Sequence, residues 1–179
     1  MNSLVRLIQN TATLRGLAIL FGLYVVVFGA IITTLTQLTE LTGGIGILDF
    51  DRGYSIERVN EVFSSYGTNG MALYMRIQFL DLFNPAIYSL FLASIVYLLW
   101  QNRQIAWVSI MPLLAGLLDY FENLTLFILA RSFPDLSESL VSISSALSIV
   151  KNIVLFVAIL SLLSGLVLFV LGRINGKRS

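Results

Sequence analysis

The side chains that could do chemistry in this sequence are a few ionisable and amide groups that interrupt long apolar stretches. Asp119, Glu122 and Asn123 are spaced i, i+3 and i+4, which places them on one face of a helix. An ionisable residue within a membrane-spanning helix costs roughly 2.5–3.5 kcal/mol on insertion, so such residues are candidates for function. The full set of candidates for binding a ligand or an ion is Arg76, Asp81, Asp119, Glu122, Asn123 and Lys151.

Three kinds of chemistry are open to this set. It could be a purely structural ion-pair network in a membrane assembly protein, with Lys151 and Arg76 neutralising the acids. It could bind a lipid headgroup, a small cation or a partner helix, because three acids against two bases leave one negative charge. It could also be an intramembrane enzyme that uses Asp119 and Glu122 as an acid–base pair. No spacing indicates a nucleophile beside its base, so we favour a non-enzymatic binding role.

The residue inventory excludes several classes of site. The chain has no cysteine and no histidine, which excludes disulfides, thiol nucleophiles, His-based catalysis and the usual zinc centres. We expect neither a resident metal nor a cofactor. The formal net charge is +1 and no basic stripe is present, so we expect no nucleic-acid partner.

The elements that must position these groups are four apolar runs. Hydrophobic residues make up 57% of the chain and charged residues 12%, which is about half the charged fraction of an average soluble domain. Each run is at least as long as the roughly 20 residues that cross a hydrocarbon core. The runs cover residues 16–36, 77–100, 105–130 and 148–171, in a single domain of residues 1–179.

Depth along the runs puts the ionisable groups in one half of the membrane. With a rise of about 1.5 Å per residue, Asp81 lies roughly 28 Å from Trp100, at the predicted cytoplasmic end of its run. Asp119 is the deepest, roughly 18 Å from Trp107. Lys151 lies near the outer end of the last run. The pattern predicts an acidic pocket that opens outward and is closed on the cytoplasmic side.

Charge asymmetry predicts the orientation of the chain. All ten acidic residues fall between Glu40 and Glu138. With both termini in the cytoplasm, the short cytoplasmic segments carry only basic residues, as the positive-inside rule requires. We therefore expect an integral protein of the plasma (inner) membrane with cytoplasmic N- and C-termini. The basic residues concerned are Arg6, Arg15, Arg103, Arg173, Lys177 and Arg178.

The outer loop between the first two runs, residues 37–76, is the largest predicted segment outside the membrane. Ser55 is typical of a helix N-cap and Gly67 of a helix end, so they bracket a short amphipathic helix over residues 56–66. Residues 47–50 are expected to form a short strand or an extended stretch.

Two further irregularities are expected along the chain. A turn at Asn69–Gly70 should lead into the second run near Met71, and Pro85 should kink that run because it lacks an amide hydrogen. Before the first run, apolar residues recur at near-helical spacing over residues 2–15. This segment is expected to lie along the membrane surface.

These patterns together predict an all-α integral membrane protein. Its expected architecture is a four-transmembrane-helix up-down bundle, with an extracytoplasmic loop and a short amphipathic helix between helices 1 and 2. The expected function is to bind a lipid headgroup, a small cation or a partner helix in a buried acidic pocket. Expected partners are membrane lipids and either a second copy of the chain or another membrane protein.

Overall fold

The computed structural model describes residues 2–51, 53–102 and 106–175, and within those ranges the chain is helical with no strand. Two short 3₁₀ turns, Leu48–Phe50 and Ala106–Ile110, lie between the longer helices. Arg103, Lys177 and Arg178, which the charge pattern assigns to the cytoplasm, lie outside the described residues. The α-helices are α1 (Asn2–Thr11), α2 (Leu14–Leu41), α3 (Ile56–Asp81), α4 (Asn84–Trp100), α5 (Met111–Ser132) and α6 (Glu138–Asn175).

Four helical stretches are long and apolar enough, by length and composition, to cross a membrane. This confirms the all-helical class and the four candidate spans. The helices extend beyond the apolar runs, since α2 continues to Leu41 and α6 begins at Glu138. Their outer faces expose large apolar side chains, among them Ile19, Val26 and Phe156. The four stretches are Leu14–Leu41, Ile56–Trp100, Trp107–Ser132 and Glu138–Ile174.

The second stretch is interrupted twice. Gly67 has φ 54° and ψ −163°, a conformation that favours glycine, and it ends the helical geometry of residues 56–66 as predicted. The helix resumes at once, so the predicted turn at Asn69–Gly70 is wrong. The second interruption is at residues 82–83, between α3 and α4, with Pro85 in the first turn of α4. The expected kink is therefore a break in the helix.

The N-terminal helix packs against the bundle. Gln9 Nε2 donates a hydrogen bond of 3.0 Å to the Tyr97 hydroxyl, and the hydroxyls of Thr11 and Ser94 are 2.7 Å apart. The helix covers residues 2–11 of the segment 2–15 that was expected to lie along the membrane surface, and these bonds attach one of its faces to α4.

The 42–55 loop, between α2 and α3, folds back onto the helices. Leu48 in this loop is fully buried, and the Tyr66 hydroxyl donates a 2.9 Å hydrogen bond to the Gly46 carbonyl. The extended stretch predicted at residues 47–50 is wrong, because Leu48–Phe50 forms a 3₁₀ turn. The loop thereby becomes part of the hydrophobic core, whose largest buried members include Leu38, Leu48, Phe63, Tyr74, Leu126 and Leu129.

Candidate functional site

Lys151 of α6 is the centre of a buried polar cluster. Its Nζ lies 3.1 Å from Asp119 Oδ1 and 2.5 Å from Glu122 Oε2. Asp119 and Lys151 are each 7% exposed and Glu122 is 0% exposed. The two carboxyl groups reach the same ammonium because they are three residues apart on α5, and α5 packs along α6.

The break between α3 and α4 brings a third carboxyl group to the cluster. Asp81 is the last residue of α3, and its two oxygens accept hydrogen bonds from Asn84 Nδ2 (2.9 Å) and Asn123 Nδ2 (2.7 Å). Tyr88, one turn into α4, donates its hydroxyl to Asp119 Oδ2 at 3.0 Å. The residues on both sides of the break therefore contact the same face of α5 that is ion-paired with Lys151 of α6.

The break is itself supported by a side chain. The Tyr120 hydroxyl donates a 2.9 Å hydrogen bond to the Leu82 carbonyl, which lies in the interruption. A backbone carbonyl without a partner is costly in an apolar environment, so Tyr120 stabilises the irregular segment.

The fourth carboxyl group, Asp49, was missed by sequence reasoning. It lies in the 3₁₀ turn of the 42–55 loop, and its Oδ2 is buried with no hydrogen-bond partner among the described residues. Burial and the neighbouring Glu122 carboxylate raise the pKa of Asp49 to about 8. The sequence signal for Asp49 is that its neighbours Ile47, Leu48 and Phe50 are apolar. Apolar residues at three of four loop positions indicate that the loop is buried, and an acid among them is then buried too.

Contacts to α3 and α6 hold this loop in place. The Tyr54 amide donates to Ser145 Oγ (2.9 Å), and Ser148 Oγ donates to the Asp51 carbonyl (3.2 Å). Arg58 Nε donates to Asp51 Oδ2 at 2.9 Å. These bonds flank Asp49 and explain how a loop residue reaches the interior.

Arg76 is the one predicted site residue that the structure does not bring to the cluster. It is exposed on α3 and makes no ion pair within the described part of the chain. The structure brings together the other five: Asp81, Asp119, Glu122, Asn123 and Lys151. With Asp49 gained and Arg76 absent, the cluster has four carboxyl groups and one ammonium group.

A cavity of about 430 Å³ adjoins the cluster. Asp49, Asn84, Asp119 and Lys151 contribute to its polar end. Two of its lining residues, Asp49 and Asn84, each have a buried acceptor, Oδ2 and Oδ1 respectively, without a hydrogen-bond partner among the described residues. Deeper in the cluster, Glu122 Oε1 and Asn123 Oδ1 also lack one. Buried acceptors are normally satisfied, so the site has spare capacity for a hydrogen-bond donor.

The carboxyl groups are not arranged as a metal centre, since no group of three or more acidic residues in the described ranges could hold a metal ion. Asp119 and Glu122 are both engaged by Lys151. The chemistry that this arrangement permits is the binding of a donor-rich cationic group or of protons.

Comparison with family models, with curated proteins and with solved structures gave no match to this chain. We therefore infer the function from the geometry of the cluster and its cavity.

Proposed function

We propose that this chain is an integral membrane protein that binds a cationic group in an outward-facing acidic cavity. It crosses the plasma (inner) membrane four times, as an up-down bundle with cytoplasmic N- and C-termini. The four long apolar helical stretches support insertion, as do exposed side chains such as Val26 (71%) and Ile19 (63%). Water would solvate these faces unfavourably, whereas acyl chains would not.

The helix contacts support the alternating direction of the spans. Phe21, near the start of α2, packs on Phe91 of α4, with ring centroids 5.9 Å apart. Near the end of α2, Leu38 borders Gly70 of α3. These contacts support an α2 helix that runs antiparallel to the α3–α4 pair, with the 42–55 loop on the side opposite Arg6 and Arg173.

One observation supports a cationic ligand above the alternatives: four carboxyl groups lie around one ammonium group, and only Asp119 and Glu122 are ion-paired with it, while Asp49 and Asp81 are partly buried beside them. Uncompensated charge is expensive at low dielectric, so the cluster must hold extra protons or a bound cation. Asp49 and Asn84, which line the cavity and have acceptors without hydrogen-bond partners among the described residues, are suited to accept hydrogen bonds from that cation.

The other two interpretations make different demands on the site. A purely structural network would leave the cavity without a ligand, and its only role would be stability. An acid–base enzyme would need Asp119 and Glu122 free to exchange protons, yet both are bound to Lys151. The geometry therefore favours cation binding over an acid–base enzyme, and a binding test distinguishes it from a purely structural network.

The test uses the n-butylammonium ion with purified protein in detergent. We expect this ion to raise the melting temperature of the wild-type protein in a saturable way, because a ligand that binds only the folded state stabilises it. The Asp49→Asn variant should lose the shift. The Asp135→Asn variant is the matched control, because Asp135 is exposed in the segment between α5 and α6.

A melting temperature that does not respond to n-butylammonium, or an equal response in Asp49→Asn, would overturn the proposal. The first result would favour the structural network. The second would mean that the ion binds somewhere other than this cavity.

A further inference from the structure

The cavity beside the cluster has a polar end and an apolar end. Asp49, Asn84, Asp119, Lys151 and Asn152 supply its polar lining, and the rest of the lining is aromatic and aliphatic. Phe91 of α4 and Ile159 of α6 are among the wall residues, with Tyr24 of α2 on the far side. The space therefore lies between α2 and α6, the first and last of the four long stretches.

The apolar end continues along α6. An adjoining cavity of about 680 Å³ adds Ile149, Ile153 and Phe156 to five residues that it shares with the first, namely Asp49, Phe50, Asn152, Leu155 and Ile159. The side chains of Ile153 and Phe156 are 58% and 61% exposed, so this groove is open at the lateral surface of the bundle. In a membrane, that surface faces acyl chains.

The two cavities together are suited to a molecule with one polar end. Ligand sites of roughly 300–1,000 Å³ are typical for small organic molecules, and their specificity comes from a few polar groups at one end. A small inorganic cation would leave the apolar groove without a role. An amphiphile would fill both parts.

The polar end selects the type of headgroup. A primary ammonium has three hydrogen-bond donors and no acceptor. Asp49 and Asn84, which line the cavity beside Asp119, have the acceptors Oδ2 and Oδ1 without hydrogen-bond partners among the described residues, and a small shift of either side chain would turn them to such a head. An anionic head would meet an excess of carboxylates, and a quaternary ammonium head has no hydrogen to donate.

We propose that the ligand of the acidic cavity is a membrane amphiphile with a primary ammonium head, whose hydrocarbon chain lies in the groove between the 42–55 loop and α6. This inference rests on the proposed function, since it specifies which cation the cavity binds.

The test uses hexadecylamine as the probe. The protein is reconstituted in phosphatidylcholine nanodiscs that contain hexadecylamine, hexadecanol or hexadecyltrimethylammonium, and the retained adduct is measured by native mass spectrometry. We expect one hexadecylamine per chain, and at least tenfold less of the other two amphiphiles. The Asp49→Asn variant should lose the hexadecylamine adduct.

A second pair of variants separates the chain groove from the headgroup site. Ile153→Trp fills the groove at a residue that does not line the acidic cavity, and Leu160→Trp is the control, because Leu160 is 48% exposed on α6 and does not line either cavity. We expect Ile153→Trp to retain at least tenfold less hexadecylamine while keeping the n-butylammonium shift in melting temperature. Leu160→Trp should behave as the wild type in both assays.

The outcomes distinguish the inference from the proposed function. If Ile153→Trp retains hexadecylamine like the wild type, or if hexadecanol is retained equally, the amphiphile is wrong and cation binding stands. If neither n-butylammonium nor hexadecylamine binds, both fail.

Discussion

At the scale of single residues, Lys151 supplies the positive charge that compensates two buried carboxylates of this protein, Asp119 and Glu122. One ammonium group serves two buried carboxyl groups, at 3.1 Å and 2.5 Å. Removing one member of a buried ion pair leaves its partner uncompensated, which costs much more than the pair contributes when intact.

We expect Lys151→Gln to lower the free energy of unfolding by about 3–5 kcal/mol, because Asp119 and Glu122 would lose their cation. Arg76→Gln should change it by no more than about 0.5 kcal/mol, since Arg76 is exposed and lies outside the cluster. Equilibrium unfolding in mixed detergent micelles measures both values. Equal losses in the two variants would contradict the central role of Lys151.

The protonation of Asp49 predicts a dependence of stability on pH. Its surroundings are Glu122 and Asp119 of α5, Asp81 of α3 and Lys151 of α6. Burial and the three carboxylates raise its pKa to about 8, and Lys151 opposes them. Between about pH 4 and pH 8, Asp49 is therefore protonated in the folded chain and ionised in the unfolded chain.

Stability conferred by this proton is complete at low pH and is lost as the pH rises through 8. We expect the free energy of unfolding to fall by up to about 1.4 kcal/mol per pH unit across that window and to level off above it. Unfolding measured from pH 5 to pH 9 tests this. The slope should be reduced in Asp49→Asn and unchanged in Asp135→Asn; an unreduced slope in Asp49→Asn would exclude Asp49 as its source.

At the scale of the elements, the contact between α4 and α5 depends on a glycine. A Cβ atom at Gly116 would lie 2.7 Å from Ser89 Cβ and 2.9 Å from the Pro85 carbonyl oxygen. This close approach holds the start of α4, with Asn84 and Tyr88, against the face of α5 that carries Asp119. Small residues are the usual means of such helix packing in membranes.

We expect Gly116→Ala to lower the free energy of unfolding by about 1–3 kcal/mol, because backbone and side-chain atoms must move to admit the methyl group. Gly22→Ala is the matched control, since no atom lies within 4 Å of the Cβ position at Gly22. Thermal unfolding in detergent compares the two variants. A similar melting temperature for both would contradict tight packing between α4 and α5.

At the scale of the whole molecule, the proposed topology can be tested directly because the chain contains no cysteine. Single cysteines at Thr68 and Glu138 should react with a membrane-impermeant maleimide in intact cells. A cysteine at Asn102 should react only after permeabilisation. All three residues are exposed, so differences in labelling report the side of the membrane. The reverse pattern would contradict the orientation, and labelling of all three in intact cells would contradict the spans.

Part of the candidate site could be predicted because helix geometry is local. The spacing of Asp119, Glu122 and Asn123 required a shared face, and that face is the one that meets Lys151 and Asp81. Gly67 ended a helix where predicted, since its backbone conformation is a property of one residue. Arg76 was assigned to the cluster only from its position along the second apolar run. That position does not determine whether the side chain points into the bundle or away from it.

The sequence by itself determined the helical class, the four apolar stretches and the polar face of α5, because hydrophobic period and segment length follow from neighbouring residues. Only the tertiary structure decided that Asp49 joins the cluster and that Arg76 does not. It also decided that the second span breaks at residues 82–83 and that a cavity remains between α2 and α6. These features arise from contacts between segments far apart in the chain, such as Tyr54 with Ser145. Local periodicity contains no information about them.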